Sequence, residues 1–87
     1  MPKPVDYESA INRCLDEFNA NADGVAVRLI SVNNSDFDVE VISQDLDAVV
    51  FSSADDLAAK FRKIGLRGDM TWFTKTDLDK MLIRFKL

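Results

Sequence analysis

The side chains that could carry chemistry in this sequence are mainly carboxylates. Seven acidic residues and no basic residue lie between Leu29 and Ala59, namely Asp36, Asp38, Glu40, Asp45, Asp47, Asp55 and Asp56. Neighbouring acids such as Asp45 and Asp47 are of the type that performs acid–base catalysis or holds a divalent cation. They occupy turn and helix-start positions, however, and no glycine-centred calcium loop accompanies them. We therefore expect no catalytic residue, no metal site and no enzymatic activity.

The absence of other reactive residues narrows the chemistry further. The chain has no histidine, which excludes His-dependent triads, His general bases and His metal ligands. Its three glycines form no phosphate-binding loop, so we expect no cofactor. The single cysteine, Cys14, lies on an apolar helix face and is expected to be a buried small hydrophobe. One unpaired cysteine favours a reducing compartment, and we expect a cytoplasmic protein.

Charge is distributed unevenly along the chain. The net charge of −4 combines −9 over residues 1–59 with +5 over residues 60–87. The seven acids have two interpretations. They could simply be the water-facing positions of a strand, two turns and a helix start. Alternatively, they form an acidic patch that binds a basic partner, such as a nucleic-acid-binding protein whose natural ligand the patch imitates. The second interpretation predicts a regulatory or inhibitory protein-binding module, with all seven acids as its partner-binding residues.

A second functional hypothesis rests on the basic C-terminal third. Eight lysines and arginines in residues 60–87 surround Trp72 and Phe73, and basic residues interleaved with aromatic ones are typical of nucleic-acid binding. Many of these bases fall in the last turns of predicted helices, where they have a structural reason to be. The two aromatic residues are better explained as core residues than as stacking platforms. Direct nucleic-acid binding is therefore the alternative to the acidic-patch hypothesis.

The elements that must position these residues can be read from hydrophobic spacing. Eighty-seven residues indicate a single domain over 1–87, with residues 1–5 as a loose arm carrying two prolines. The longest apolar run, residues 48–51, is too short to span a bilayer. Asp6 is a suitable N-cap for a first helix. The apolar face of that helix has helical spacing and consists of Tyr7, Ile11, Cys14, Leu15 and Phe18.

The middle of the chain reads as three strands followed by a helix. Strands are predicted over residues 25–32, 37–43 and 46–51, with a hairpin turn over 33–36. The helix is predicted to begin at Ser52 or Ser53, to carry acids in its first turn, and to end at Gly65 in a Schellman motif. Residues 70–73 could form a fourth strand or an extended connector. For residues 77–85 a helix is favoured, although residues 83–87 alternate like a strand.

These elements predict an α+β fold of order α-β-β-β-α followed by a short helix. A three-stranded antiparallel meander would pack against helices on one face, and Asp38 and Glu40 would point from the other face into water. The predicted core comprises Ile11, Leu15, Phe18, Val27, Leu29, Val39, Val41, Val50, Leu57, Phe61 and Ile64.

Overall fold

A computed structural model describes residues 7–87 and has an α+β fold with an antiparallel sheet, as the sequence predicted. The elements in chain order are helix α1 (Tyr7–Asn21), strands β1 (Ala26–Val32) and β2 (Asp36–Ile42), helix α2 (Leu46–Lys63), and strands β3 (Met70–Asp77) and β4 (Lys80–Lys86). Both helices pack on one face of the sheet. The arm predicted over residues 1–5 and the N-cap at Asp6 lie outside the described residues.

The sheet has four strands in the order β1-β2-β4-β3, two antiparallel hairpins side by side, instead of the three-stranded meander expected from the sequence. The first hairpin turns where the sequence predicted it. Its turn is closed by the Asn33 amide, which donates a 2.8 Å hydrogen bond to the Asp36 carbonyl oxygen. The second hairpin turns through Leu78 and Asp79. Strands β2 and β4 are central, so β1 and β3 form the two edges.

Helix α1 packs against the sheet at its β1 edge. Its buried residues are Ile11, Cys14, Leu15 and Phe18, as predicted, while Tyr7 at its start remains 39% exposed. Near the end of α1, the Asn19 side chain binds the backbone of Val27 in both directions. Its Oδ1 accepts from the Val27 amide and its Nδ2 donates to the Val27 carbonyl oxygen, both at 2.9 Å. The side-chain amide therefore satisfies backbone groups on an edge strand.

Helix α2 begins at Leu46, six or seven residues before the start predicted at Ser52 or Ser53, so the strand expected over residues 46–51 is wrong. These residues form its first turns, and Asp45 is the N-cap. The reason is a continuous buried stripe at helical spacing: Leu46, Val50, Ser53, Ala54, Leu57, Ala58 and Phe61. Ser52 does not cap the helix but lies inside it, where its hydroxyl donates to the Val49 carbonyl oxygen at 3.0 Å.

The end of α2 is the predicted Schellman motif. The Gly65 amide donates to the Arg62 carbonyl oxygen and the Leu66 amide donates to the Phe61 carbonyl oxygen. Gly65 has φ +90°, a conformation in which a glycine is favoured. Because the chain turns here, Leu66 is buried instead of Ile64, which is 43% exposed. The prediction that Ile64 belongs to the core is wrong for this reason.

The C-terminal third forms a hairpin, and the helix favoured over residues 77–85 is wrong. Residues 70–77 are strand β3, longer than the short segment expected, and β4 follows after two residues. Strand β4 buries Met81, Ile83 and Phe85 at alternating positions, directly opposite Val41, Val39 and Phe37 of β2. The alternating interpretation of this segment therefore prevails, because β2 offers it a matching apolar face.

The hydrophobic core lies between the helices and the sheet. Three rings meet at its centre, with the Phe61 centroid 4.9 Å from that of Phe37 and 5.2 Å from that of Phe85. Of the predicted core residues, Leu29 is only partly buried. The others named above, except Ile64, are buried. Within residues 7–87, neither helix has the length and apolar character needed to cross a membrane.

Candidate functional site

The seven predicted partner-binding acids lie on two opposite sides of the molecule. Asp36, Asp38 and Glu40 belong to β2. Asp47, Asp55 and Asp56 belong to α2 and Asp45 caps it, and this helix packs on the apolar face of the sheet. Since Phe37, Val39 and Val41 point toward the helices, Asp38 and Glu40 must point away from them. The structure therefore does not bring the seven acids together in one patch.

Asp38 and Glu40 are not free in water, contrary to the expectation from alternation. Their exposed fractions are 6% and 9%, although neither α1 nor α2 lies on this face, which we call the uncovered face. Each is covered and neutralised by a cross-strand arginine. Arg28 Nε lies 2.8 Å from Glu40 Oε1, and Arg84 Nε lies 2.9 Å from Asp38 Oδ1. The strand register places each arginine beside its carboxylate, in a way that sequence order does not indicate.

The Asp38 pair belongs to a row of side chains that crosses all four strands. Ser31 on β1 donates to Asp38 Oδ2 at 3.4 Å, and Arg84 on β4 binds both carboxylate oxygens. The Arg84 guanidinium also lies 5.1 Å from the centre of the Trp72 ring on β3. The hydrogen bond and charge of Asp38 raise the pKa of Arg84 above its ordinary value. These side-chain contacts link all four strands on the uncovered face of the sheet.

Trp72 and Phe73 project from opposite faces of β3, so they cannot form one stacking platform for nucleic acid. Trp72 lies opposite Arg84 on the uncovered face. Phe73 packs edge-to-face against Phe51 of α2, with ring centroids 5.6 Å apart. Four of the eight C-terminal bases also form ion pairs, namely Lys60 with Glu17, Arg62 with Asp69, Lys75 with Asp47, and Arg84 with Asp38. Any nucleic-acid site must therefore use Trp72 without Phe73.

The exposed acids of α2 flank an exposed aromatic pair. Asp47, Phe51 and Asp55 recur every four residues and therefore form one ridge along the helix. Phe51 and Phe73 remain 53% and 46% exposed even though they contact each other. We call the area formed by Asp47, Phe51, Asp55, Phe73 and Lys75 the α2–β3 surface. It combines apolar rings with carboxylates at its rim.

The remaining acids are less clearly grouped. Asp45 is exposed at the start of α2, and Asp36 is half-buried in the first hairpin, where it accepts a hydrogen bond from Asn33 Nδ2 at 3.0 Å. Asp56 lines a groove of about 520 Å³ between α1 and α2, together with Phe18, Val49 and Lys60. Within residues 7–87, no three acidic or cysteine side chains converge as metal ligands would.

Sequence reasoning missed Phe51 and Phe73 as surface residues. Phe51 was assigned to an apolar strand, and Phe73 was considered as a core residue or as part of a nucleic-acid platform. The i, i+4, i+8 spacing of Asp47, Phe51 and Asp55 was the available signal, and it becomes visible only once residues 46–51 are treated as helix. No sequence signal indicates that β3 would run beside this ridge.

Comparison with protein-family models, with curated proteins and with solved structures found no match.

Proposed function

We propose that the protein is a non-catalytic module that binds a basic segment of another protein through the α2–β3 surface. The observation that carries this proposal is the exposed Phe51–Phe73 pair with Asp47 and Asp55 beside it on α2. Exposed aromatic rings inside a polar rim are typical of protein interaction sites. The acids make the site negatively charged, so it attracts lysine or arginine side chains.

The aromatic pair supplies the main driving force in this proposal. Covering the exposed half of two phenylalanine side chains would remove roughly 200 Å² of apolar surface from water. At about 25 cal/mol per Å², this burial is worth about 5 kcal/mol before the costs of association are subtracted. A contribution of this size is enough for the pair to act as the centre of an interface.

The carboxylates supply selectivity and association rate. Asp47 and Asp55 lie within the first ten residues of α2, a segment that contains no base. Asp47 does pair with Lys75 at 3.3 Å, but both side chains are substantially exposed. Such a surface pair is weak, so a partner's cation can replace Lys75 at little cost. Attraction over this surface should be screened strongly by salt.

The partner class is a basic protein, including nucleic-acid-binding proteins. In that case the α2 carboxylates would occupy the positions of phosphates, and the module would act as a regulator or inhibitor of nucleic-acid binding. We also propose a cytoplasmic location for this binding, which the single unpaired cysteine favours.

The test uses two variants of the α2–β3 surface with matched controls. Immobilised protein is incubated with lysate of the source organism, and captured proteins are quantified by mass spectrometry. A specific partner should be lost with Phe51→Ser and with Asp55→Lys. It should be retained with Ile30→Ser, which changes a 44% exposed apolar residue on β1 at the opposite edge of the sheet, and with Asp16→Lys, which reverses an exposed acid on α1.

The inhibitor interpretation has its own readout. Excess double-stranded DNA should release the captured partner if the carboxylates occupy a phosphate-binding surface. If the control variants lose the same proteins as the test variants, the capture is non-specific and the proposal is wrong.

A further inference from the structure

We propose that the uncovered face of the sheet carries a second site, which binds a nucleotide with its base against Trp72 and its phosphate between Arg67 and Lys86. These residues line an open cleft of about 680 Å³ at the end of β4 nearest the first hairpin turn. The volume is within the range of small-molecule sites. The cleft lies on the opposite face from Phe73, so this proposal does not depend on the α2–β3 surface.

Two of the basic side chains that line the cleft form no ion pair with the residues that the structure describes. Arg67, Arg84 and Lys86 line it, and Asp36, directly opposite Lys86 in the register of β2 and β4, is the acidic side chain among the lining residues. Arg84 is already bound to Asp38. The ion pairs found among residues 7–87 include neither Arg67 nor Lys86. An arginine and a lysine that form no ion pair with any of residues 7–87, next to an exposed aromatic ring, match the phosphate and the base of one nucleotide.

Backbone hydrogen bonds hold the walls of the cleft in place. The Gly68 amide donates to the Lys86 carbonyl oxygen at 3.2 Å, and the Lys86 amide donates to the Asp69 carbonyl oxygen at 2.9 Å. On the other side, the Leu87 amide donates to the Ser35 carbonyl oxygen at 3.1 Å. The loop that carries Arg67 and the turn that carries Ser35 are therefore both fixed to the same strand end. A preformed site of this kind loses little conformational entropy on binding.

Trp72 is available as a stacking surface on the same side. The residue is 44% exposed, and the guanidinium of Arg84 on β4 lies 5.1 Å from the centre of its ring. Arg84 is itself fixed by two hydrogen bonds to Asp38, so the indole is held against a rigid partner. Asp36 adds an acceptor that suits ribose hydroxyl groups, as carboxylates in nucleotide sites do. The cleft therefore offers one contact for each part of a ribonucleotide.

The ligand chemistry has two possible sources, a free mononucleotide and one unit of a single-stranded nucleic acid. The chain has only one tryptophan, so its fluorescence reports directly on Trp72. Titration with UMP should change the emission saturably, whereas uridine and inorganic phosphate should each bind at least about tenfold more weakly, because each lacks one set of contacts. An eight-residue oligouridylate that binds much more tightly than UMP identifies a strand as the source, and equal affinities identify the free nucleotide.

Substitutions of the lining residues test whether UMP binds in the cleft. Arg67→Gln combined with Lys86→Gln should weaken UMP binding about tenfold or more. The control, Lys63→Gln combined with Lys80→Gln, makes the same change in net charge outside the cleft and should leave the affinity unchanged. Trp72→Leu, measured by calorimetry, should bind UMP no better than it binds inorganic phosphate. Circular dichroism melting curves verify that each variant is folded.

Two results would overturn the proposal. One is the absence of a saturable change in the parent protein with either UMP or the oligouridylate at millimolar concentration. The other is equal weakening by the cleft variant and its control, which would mean that the net charge of the protein, not the cleft, governs binding. Neither result would bear on the α2–β3 surface, because that surface is tested with different residues and a different ligand.

Discussion

Asp38 and Arg84 face each other across the two central strands, and their side chains are joined by two hydrogen bonds of 2.9 and 3.3 Å. Neither α1 nor α2 lies over this pair, yet Asp38 is only 6% exposed, because Arg84 and its neighbours cover it. On the uncovered face, the pair therefore packs β2 against β4 out of contact with water, as apolar side chains do on the other face. Four predictions follow from this and other contacts of the fold.

Reversing the charge of the two β2 acids should damage the fold. Asp38→Lys combined with Glu40→Lys would place ammonium groups against Arg84 and Arg28 in nearly buried positions, which we expect to cost about 3–5 kcal/mol. The alternating sequence pattern alone predicts that both acids are exposed to water. In that case the same substitutions would leave the free energy of unfolding unchanged. Chemical denaturation monitored by circular dichroism measures the difference.

The control for that variant is Asp55→Lys combined with Asp56→Lys, which makes the same charge change on the exposed side of α2. Its free energy of unfolding should remain within about 1 kcal/mol of the parent value. Equal stability of the two double variants would contradict the ion-paired arrangement of β2.

The same substitution at two positions of α2 should have unequal effects. Phe61 is fully buried and contacts two other rings, so Phe61→Ala should destabilise the protein by about 3–5 kcal/mol. Phe51 is 53% exposed, and Phe51→Ala should cost only about 1 kcal/mol, mainly its contact with Phe73. Similar melting temperatures for the two variants would show that the helix faces are assigned wrongly.

Two glycines with positive φ should differ in their tolerance of alanine. A Cβ atom at Gly68 would lie 2.8 Å from the Ala58 carbonyl oxygen of α2, whereas a Cβ atom at Gly65 meets nothing within 4 Å. Gly65→Ala should cost about 1 kcal/mol for the left-handed conformation alone. Gly68→Ala adds a backbone clash and should cost about 2–3 kcal/mol. Urea denaturation of both variants checks the order, and a larger loss for Gly65→Ala would refute it.

The free energy of unfolding should fall at alkaline pH, partly because the Cys14 thiol ionises. Burial, with a smaller contribution from the charge of Glu17, raises the pKa of the Cys14 thiol above its ordinary value of 9.0. The folded state therefore favours the protonated thiol. The resulting stabilisation is complete below the unfolded-state pKa and is lost as the pH rises from about 9 through the folded-state pKa.

The Cys14→Ala variant isolates this contribution, since all other titrating groups are shared with the parent. Urea unfolding between pH 8 and 10.5 should show the parent losing more stability than the variant. Ellman's reagent should also react slowly with the native thiol and quickly after unfolding, because Cys14 is 4% exposed. Parallel pH profiles would mean that the thiol ionises equally in both states.

Some of the candidate site was foreseeable from sequence. The exposed positions of Asp55 and Asp56 follow from the amphipathic pattern around Leu57 and Phe61, which was recognised. The pairing of Asp38 and Glu40 was not, because the alternating pattern assigns them to a face without indicating what else that face contains. Their partners are Arg84, at a separation of 46 residues, and Arg28, in the neighbouring strand.

Local signals alone determined helix α1, the first hairpin and the end of α2. In each of these, a periodic apolar face or a turn-forming cluster specifies one conformation over a few neighbouring residues, and Gly65 supplies the backbone angle that the helix end requires. No distant contact was needed to choose between alternatives.

Tertiary structure decided residues 46–51 and 80–86, where the local pattern permits both helix and strand. Residues 80–86 became a strand because the alternating side chains of β4 match β2 on both faces, with Phe85 beside Phe37 and Arg84 beside Asp38. Residues 46–51 became helix because Leu46 and Val50 continue the stripe that α2 buries against the sheet. Short apolar segments have nearly equal local preferences, so the surface they are buried against determines their conformation.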